Sequence, residues 1–297
     1  MDNHNDNRIV RRKPKPEWLK SEYDRNTVAE VSGLLRELHL NTVCEEANCP
    51  NLGECFRKHT ATFMILGNIC TRNCRFCNVT SRHPLPPDPN EPINVAHAAK
   101  NLGLHHVVLT CVTRDDLESG GAEQFAKTVY AIHEICPGTT VETLISDMKM
   151  NTDALDIVIA SHPDILNHNI ETVKELQTVL HPQAQYERSL NVLHYCKKKD
   201  ATIFTKTGFM VGLGETDEQI DQLMDDILEM GCDILTIGQY LQPSPRHYPL
   251  AKYVTPETFA RYKELALSKG FRYVASAPLV RSSYRAWEVM EGAHSLY

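Results

Sequence analysis

The sequence predicts an α/β protein built as an open, partial (βα)6 TIM-like barrel. Short apolar runs of strand length recur along the chain, and helical stretches lie between them. That alternation implies a parallel sheet, because parallel strands need crossover connections. Six such units lie between residue 61 and about residue 270, too few for a complete eight-fold barrel, and no glycine-rich dinucleotide fingerprint is present. A doubly wound open sheet is the runner-up arrangement.

The elements justify this in order. Residues 1–60 are expected to form an N-terminal extension, which opens on a basic arm. Arg8, Arg11, Arg12, Lys13, Lys15 and Lys20 are interrupted there by Pro14 and Pro16, so the segment reads as extended. Either it is a solvated tail or it docks an acidic partner protein. From Ala61 the pattern changes, with ATFMILG as the first buried strand. The stretch RHPLPPDPNEP (82–92) holds five prolines and is expected to be a stiff, non-helical connection. Further strands are expected in HHVVLTCV (105–112), TTVETLI (139–145), DILNHNI (164–170), ATIFTKTGFMVG (201–212) and DILTIGQY (233–240).

Residues 216–230 give the clearest helix. Ile220, Leu223, Met224, Ile227 and Leu228 follow helical spacing, and Thr216 with Gln219 makes a capping box. Another helix opens at Thr255, with Pro256 in its first turn, and stops at Gly270. A last short strand is expected within FRYVASAP (271–278). The barrel is placed at 61–270, and 271–297 forms a short C-terminal extension.

Composition narrows the function. The 297 residues, 42% of them hydrophobic, suffice for a sizeable core. A net charge of −7 with mixed signs argues against a general nucleic-acid binder. No apolar run is long enough to span a bilayer, so no membrane partner is expected. The first residues hold no apolar signal-peptide core, so a reducing, cytoplasmic compartment is expected. Cysteines there are more often ligands or catalysts than disulfides.

Six of the ten cysteines fall between Cys44 and Cys77, in two groups of three. Cys70, Cys74 and Cys77 form C-x3-C-x2-C directly after the first expected strand. In parallel α/β folds, ligand sites lie beyond the carboxyl ends of the strands. Three thiolates can hold three irons of a [4Fe–4S] cube and leave the fourth open to a small chelating molecule. The alternatives are a zinc loop that borrows a ligand elsewhere, or buried thiols, although structural zinc favours paired units with four protein ligands. Cys44, Cys49 and Cys55 form C-x4-C-x5-C. A second cluster again falls one ligand short; a zinc knuckle or reduced structural thiols are the other readings. Cys111, Cys136, Cys196 and Cys232 lie in apolar contexts and are expected to be small core residues. The fourteen histidines show no HExxH-type spacing, and none is assigned to a metal.

The C-x3-C-x2-C motif after the first strand resembles the radical S-adenosylmethionine enzymes. Preceded by C-x4-C-x5-C, it resembles the lipoyl synthases among them. NCPNLGEC, FMILGNICTRNCRFC, VLTCVTRDDLESGGA, NHNIET, MVGLGET and RSSYRA look like segments of that family, in its order, over nearly the whole chain.

The resemblance implies two [4Fe–4S] clusters and S-adenosylmethionine. Cys70, Cys74 and Cys77 would hold the cluster that cleaves it to a 5′-deoxyadenosyl radical and methionine. Cys44, Cys49, Cys55 and Ser283 of RSSY would hold an auxiliary cluster. That cluster gives two sulfur atoms to C6 and C8 of an octanoyl chain on a carrier-protein lysine. The implied partners are octanoylated carriers, namely the glycine cleavage H protein and E2 lipoyl domains. A low-potential electron donor such as ferredoxin or flavodoxin is also implied. Serine oxygen is a harder, weaker match for iron than thiolate, which would suit a cluster that must open.

S-adenosylmethionine also needs partners at strand ends. Asn169 and Glu171 of NHNIET, Arg188 of ERSL, and Gly212 and Gly214 of MVGLGET are the candidates, with Thr113, Arg114 and Asp115 of VTRDD. Arg188 is a fork for the methionine carboxylate or for a nearby acid. The glycines would let backbone approach the adenine or ribose. Each of these residues also fits an ordinary cap, turn or ion pair.

Overall fold

The computed structural model describes residues 14–20, 25–46, 49, 51 and 62–283. The six expected runs form strands β2 (Thr62–Ile65), β5 (His106–Cys111), β6 (Thr140–Leu144), β7 (Ile165–Asn167), β8 (Phe204–Val211) and β9 (Ile234–Gln239). The run at 271–278 supplies β10 (Tyr273–Ser276), parallel to β9. A short β1 (Asn41–Thr42) pairs antiparallel with β2. The sheet runs β1-β2-β5-β6-β7-β8-β9-β10, parallel from β2 onward, and its two ends do not pair. This is an open, partial barrel. A separate two-stranded pair, β3 (Ile69–Cys70) and β4 (Thr80–Ser81), pinches the cysteine loop at its base.

Helices α1 (Arg25–Glu37) and α2 (Val43–Glu46) belong to the N-terminal extension. The crossovers are α3 (Glu91–Asn101), α4 (Ala122–Ile135), α5 (Thr152–Ala160), α6 (Lys174–Leu180), α7 (Tyr186–Lys199), α8 (Asp217–Glu229) and α9 (Pro256–Lys269). The capping box of Thr216 and Gln219 is present at α8. Thr255 caps α9, and Gly270 ends it at φ 120°. The proline-rich connection is non-helical only as far as Asn90. Glu91 and Pro92 already belong to α3, because a proline in the first turn forfeits no intrahelical hydrogen bond.

Alternation along the strands sorts the core. Val107, Leu109, Val141 and Leu166 join one apolar cluster with α3, α4 and α5, while Phe209, Val211, Leu235 and Ile237 join another with α8 and α9. Among the intervening positions are charged and polar side chains that meet one another. Lys206 Nζ donates to Glu142 Oε2 at 2.8 Å, and Asn167 Nδ2 donates to Glu142 Oε1 at 2.7 Å. His106 Nε2 lies 3.8 Å from the same carboxylate, and all four side chains are buried. No helix among the described residues is long and apolar enough to cross a membrane.

Candidate active site

The cysteine loop leaves the carboxyl end of β2, whose four residues are all buried. Leu66 and Gly67, both at positive φ, turn the chain into it. The loop is fastened from several sides. Thr71 N and Oγ1 both donate to Thr113 O, at 3.0 and 2.9 Å. Arg75 N donates to Leu180 O at 2.8 Å, and Cys77 N donates to Cys74 O at 3.2 Å. Arg72 N donates to Cys70 Sγ at 3.4 Å. The Arg72 guanidinium bonds Asp115 at 2.7 Å and Asp147 at 2.6 Å, and Arg188 adds a second cation on Asp147 at 2.9 Å.

The sulfurs fit a cationic cluster. Burial pushes the Cys77 thiol up to about 11, and Cys70 and Glu171 add to the rise. Cys74 is pushed up by burial and then by its two sulfur neighbours. Arg72, whose charge acts to lower Cys74, is already held by two aspartates, so a positive inorganic centre is what would let these thiols ionise. Among the described residues no three His, Cys, Asp or Glu side chains cage one ion. A cube does not need that convergence, since each thiolate binds a different iron.

Beside the loop lies a cavity of about 140 Å3 at the ends of β5, β6 and β7, with Arg72, Asp147, His168, Asn169, Glu171 and His181 in its wall. Glu171 sits at φ 72°, pinned because its N donates to Gly208 O at 3.0 Å and its O accepts from Met210 N at 2.9 Å. Burial pushes its carboxyl up to about 7, against a bond from Asn169 Nδ2 at 3.1 Å that lowers it. His168 Nδ1 donates to Ile145 O at 3.0 Å, which leaves Nε2 an acceptor, and burial holds the ring below its ordinary pKa. Burial and then Arg72 push His181 down to about 4. His168 Nε2 and Asn169 Oδ1 are buried without a hydrogen-bond partner among the described residues. A wall of acceptors beside a carboxyl suits a cationic, donor-bearing ligand, which S-adenosylmethionine is.

Of the residues expected from sequence, Asn169 and Glu171 line this cavity. Arg188 reaches Asp147 and Gln183 O, so its fork takes a nearby acid. Asp115 holds Arg72, whereas Arg114 is buried on Asp116 and Leu66 O. Thr113 serves the loop through its carbonyl. Gly212, at φ 95°, packs against protein: a Cβ there would come within 2.2 Å of Gln239 Nε2 and 2.5 Å of Lys252 O. Gly214, at φ 114°, has nothing within 4 Å of an added Cβ. Arg72, Asp147, His168 and His181 escape sequence reasoning; only the positions of Arg72 inside the cysteine motif and of His168 inside NHNIET could have marked two of them. Cys136, Cys196 and Cys232 are core residues as expected; Cys111, which ends β5, packs against the core and also lines the cavity.

The first cysteine group lies against this loop. Cys44 is buried on α2, and Cys49 N donates to Cys44 O at 3.0 Å. Cys55 lies outside the described residues. Asn78 Nδ2, next to Cys77, donates to Glu46 O at 3.0 Å, and Asn68 Nδ2 donates to Glu46 Oε1 at 3.2 Å. From the other side, Asn51 Nδ2 donates to Leu279 O at 2.6 Å. Burial raises the Cys49 thiol, while the Asn51 backbone and the charge of Arg281 pull it down. Arg281 directly precedes Ser282 and Ser283, which form a turn.

The comparisons agree with this geometry. The Radical SAM superfamily profile matches residues 64–227. A lipoyl synthase of Caldanaerobacter subterraneus subsp. tengcongensis is 54% identical over 92% of this chain and 95% of its own. One of Alkaliphilus metalliredigens is also 54% identical, over 94% of this chain and 97% of its own. Among solved structures, methylornithine synthase (PylB) superposes with a TM-score of 0.57 over 86% of this chain and 80% of its own, at 14% identity, a likeness of fold alone. With a cysteine loop at the carboxyl end of β2 and a second cysteine group fastened to it, the chain belongs to the lipoyl synthases of the radical S-adenosylmethionine superfamily.

Proposed function

We propose that this chain inserts two sulfur atoms, at C6 and C8, into an octanoyl chain carried in amide linkage on a lysine of a carrier protein. The observation that carries the reading is the seam between the cysteine groups, in which Asn78 and Asn68 of one loop hold Glu46 of the other segment. Sulfur donor and radical source would thus face one substrate from adjoining walls.

Cys70, Cys74 and Cys77 would hold a [4Fe–4S] cluster whose reduced form, with S-adenosylmethionine, supplies a hydrogen-abstracting 5′-deoxyadenosyl radical. This chain's residues seat the components. Glu171 and Asn169 offer acceptors to the ammonium end of the methionine part. Arg72, Asp115 and Asp147 fix the loop in register with β5 and β6. Gly212 and Gly214 turn the backbone at the end of β8; Gly212 is closed off by Gln239 and Lys252, and the open space at Gly214 would leave backbone free to approach the ribose or adenine.

An auxiliary [4Fe–4S] cluster on Cys44, Cys49, Cys55 and Ser283 is the sulfur substrate and is consumed. Asn51 supports this arrangement by tying its cysteine segment to the C-terminal segment that carries Ser283. In functional terms the chain divides into 1–60 for the auxiliary cysteines, 61–270 for the barrel and 271–297 for the serine ligand. The octanoylated carriers are the glycine cleavage H protein and E2 lipoyl domains, the electron donor is a ferredoxin or flavodoxin, and the compartment is the cytoplasm.

The test is incubation with an octanoyl-lysine peptide, S-adenosylmethionine and reductant, followed by mass analysis. Two added sulfurs are expected. Cys74→Ala is expected to abolish 5′-deoxyadenosine formation. Cys49→Ala is expected to keep it and lose the sulfurs; lipoyl product from that variant would remove the sacrificial cluster.

A further inference from the structure

The segment after β9 runs back over the cysteine loop and ends on it in one ordered chain of hydrogen bonds. His247 Nε2 lies 3.0 Å from Cys77 O. A carbonyl only accepts, so Nε2 carries a proton, and in the tautomer protonated there alone Nδ1 is an acceptor. Ser244 Oγ, 2.8 Å from Nδ1, donates to it in that tautomer. Its lone pairs remain free for the Arg246 amide, which donates to the same oxygen at 3.3 Å. Every proton in the chain has one consistent direction, and it ends on the peptide of Cys77. The segment is anchored elsewhere too. Tyr248 N donates to Arg75 O at 2.8 Å, Tyr240 Oη donates to Tyr248 O at 2.7 Å, and Gln242 Nε2 donates to His247 O at 3.1 Å. The Arg75 guanidinium stacks over the Tyr248 ring at 5.7 Å.

We infer that His247, oriented by Ser244, is a positioning residue for the cluster held by Cys70, Cys74 and Cys77. It pins the Cys77 peptide and thereby the direction of its thiolate. The inference rests on the reading of those three cysteines as cluster ligands. Arg72 restrains the loop near Cys70, and Arg75 N, through Leu180 O, restrains its middle. Cys77 O receives its hydrogen bond from His247 alone among the described residues. Partners that orient a metal's ligands are worth about 10- to 100-fold in retention of the metal.

The test uses holoenzyme reconstituted in a Cys49→Ala background, so that only the loop's cluster contributes. His247→Phe keeps a planar ring without the donor, His247→Gln restores an Nε2 donor, and Ser244→Ala removes only the orienting bond. Three readouts apply: cluster loss to a chelator, the electron paramagnetic resonance change on adding S-adenosylmethionine, and the melting temperature. His247→Phe is expected to lose cluster about tenfold faster and to alter the resonance change. His247→Gln should restore most of both, and Ser244→Ala should fall between, with its melting temperature little changed. Unaltered cluster loss and spectra in His247→Phe would overturn the inference. So would equal losses in the Phe and Gln variants that track melting temperature. If His247→Phe does not fold, wild-type behaviour of Ser244→Ala decides against it. No response to S-adenosylmethionine in the Cys49→Ala parent would instead overturn the ligand reading.

Discussion

Arg72 and Asp147, 75 positions apart, meet through two hydrogen bonds of 2.6 and 3.0 Å, and both side chains are buried. The pair joins the cysteine loop to the end of β6. Burial alone would raise the Asp147 carboxyl, but the guanidinium holds it well below the usual carboxylate range. Asp147→Asn would leave Arg72 on Asp115 alone and Arg188 on a backbone carbonyl. Because Asp115 still neutralises Arg72, the cost is that of lost charged hydrogen bonds, about 1.5–3 kcal/mol. The variant should therefore melt well below wild type and retain less iron and sulfide. Urea unfolding of the cluster-free chain checks the first expectation, and metal analysis checks the second.

The cavity carboxyl gives a second prediction. Glu171 is raised to about 7, so in the ligand-free fold it keeps its proton from its ordinary range near 4.5 up to that point. The stability this lends is present below about pH 4.5 and is lost as pH rises through about 7. A cationic ligand favours the ionised form, so S-adenosylmethionine should bind more tightly as pH rises from about 6 to about 8. Glu171→Gln should flatten that dependence and raise KM more than it lowers kcat. Equilibrium dialysis across the pH range measures it; an unchanged slope in the variant would count against the role of Glu171.

The strands, the capping box of α8 and the cysteine loop were legible because their signals are local. Apolar runs mark the strands, and the Thr216 and Gln219 pair lies within one helical turn. Asp147 and His247 were not legible, because their partners Arg72 and Cys77 lie 75 and 170 positions away. Lys206 was passed over for a related reason. It stands in an apolar run, and nothing local tells that its partner Glu142 lies two strands over, on β6, 64 positions back. The glycine signal at position 212 fits a ligand's approach in sequence, whereas in the fold Gln239 and Lys252 occupy the space a Cβ would need.

That buried pair predicts how the fold responds to acid. Burial would raise Glu142, but Lys206 and then His106 outweigh it, and the carboxyl is held below its ordinary range. A depressed carboxylate lends stability above its unfolded pKa, and that stability is lost as pH falls through the folded value. The wild type should lose stability progressively below about pH 4.5. Glu142→Gln should be destabilised by about 3–5 kcal/mol at neutral pH, because Lys206 stays buried without a counter-charge. It should also lose less on further acidification. Denaturant titrations at two pH values separate these effects.

Gly238 predicts a separation of the two half-reactions. A Cβ at this β9 position would lie 2.1 Å from Val280 O and 3.3 Å from Arg281 Nη1. The strand cannot yield, since β8 and β10 pair with it on either side. The following residue is held as well, because Gln239 N donates to Pro278 O at 3.3 Å. The C-terminal segment must therefore move, and with it the turn of Ser282 and Ser283 and the Arg281 charge beside Cys49. Among the described residues, no member of that segment bonds Arg72 or lines the Glu171 cavity. Gly238→Ala should thus still form 5′-deoxyadenosine while sulfur transfer to the octanoyl peptide falls at least tenfold. Gly214→Ala, with open space around its Cβ, should bear only the backbone strain of its positive φ, about 1 kcal/mol. Chromatography of 5′-deoxyadenosine beside mass analysis of the peptide tests both variants; parallel loss of the two products in Gly238→Ala would place the C-terminal segment in the radical step as well.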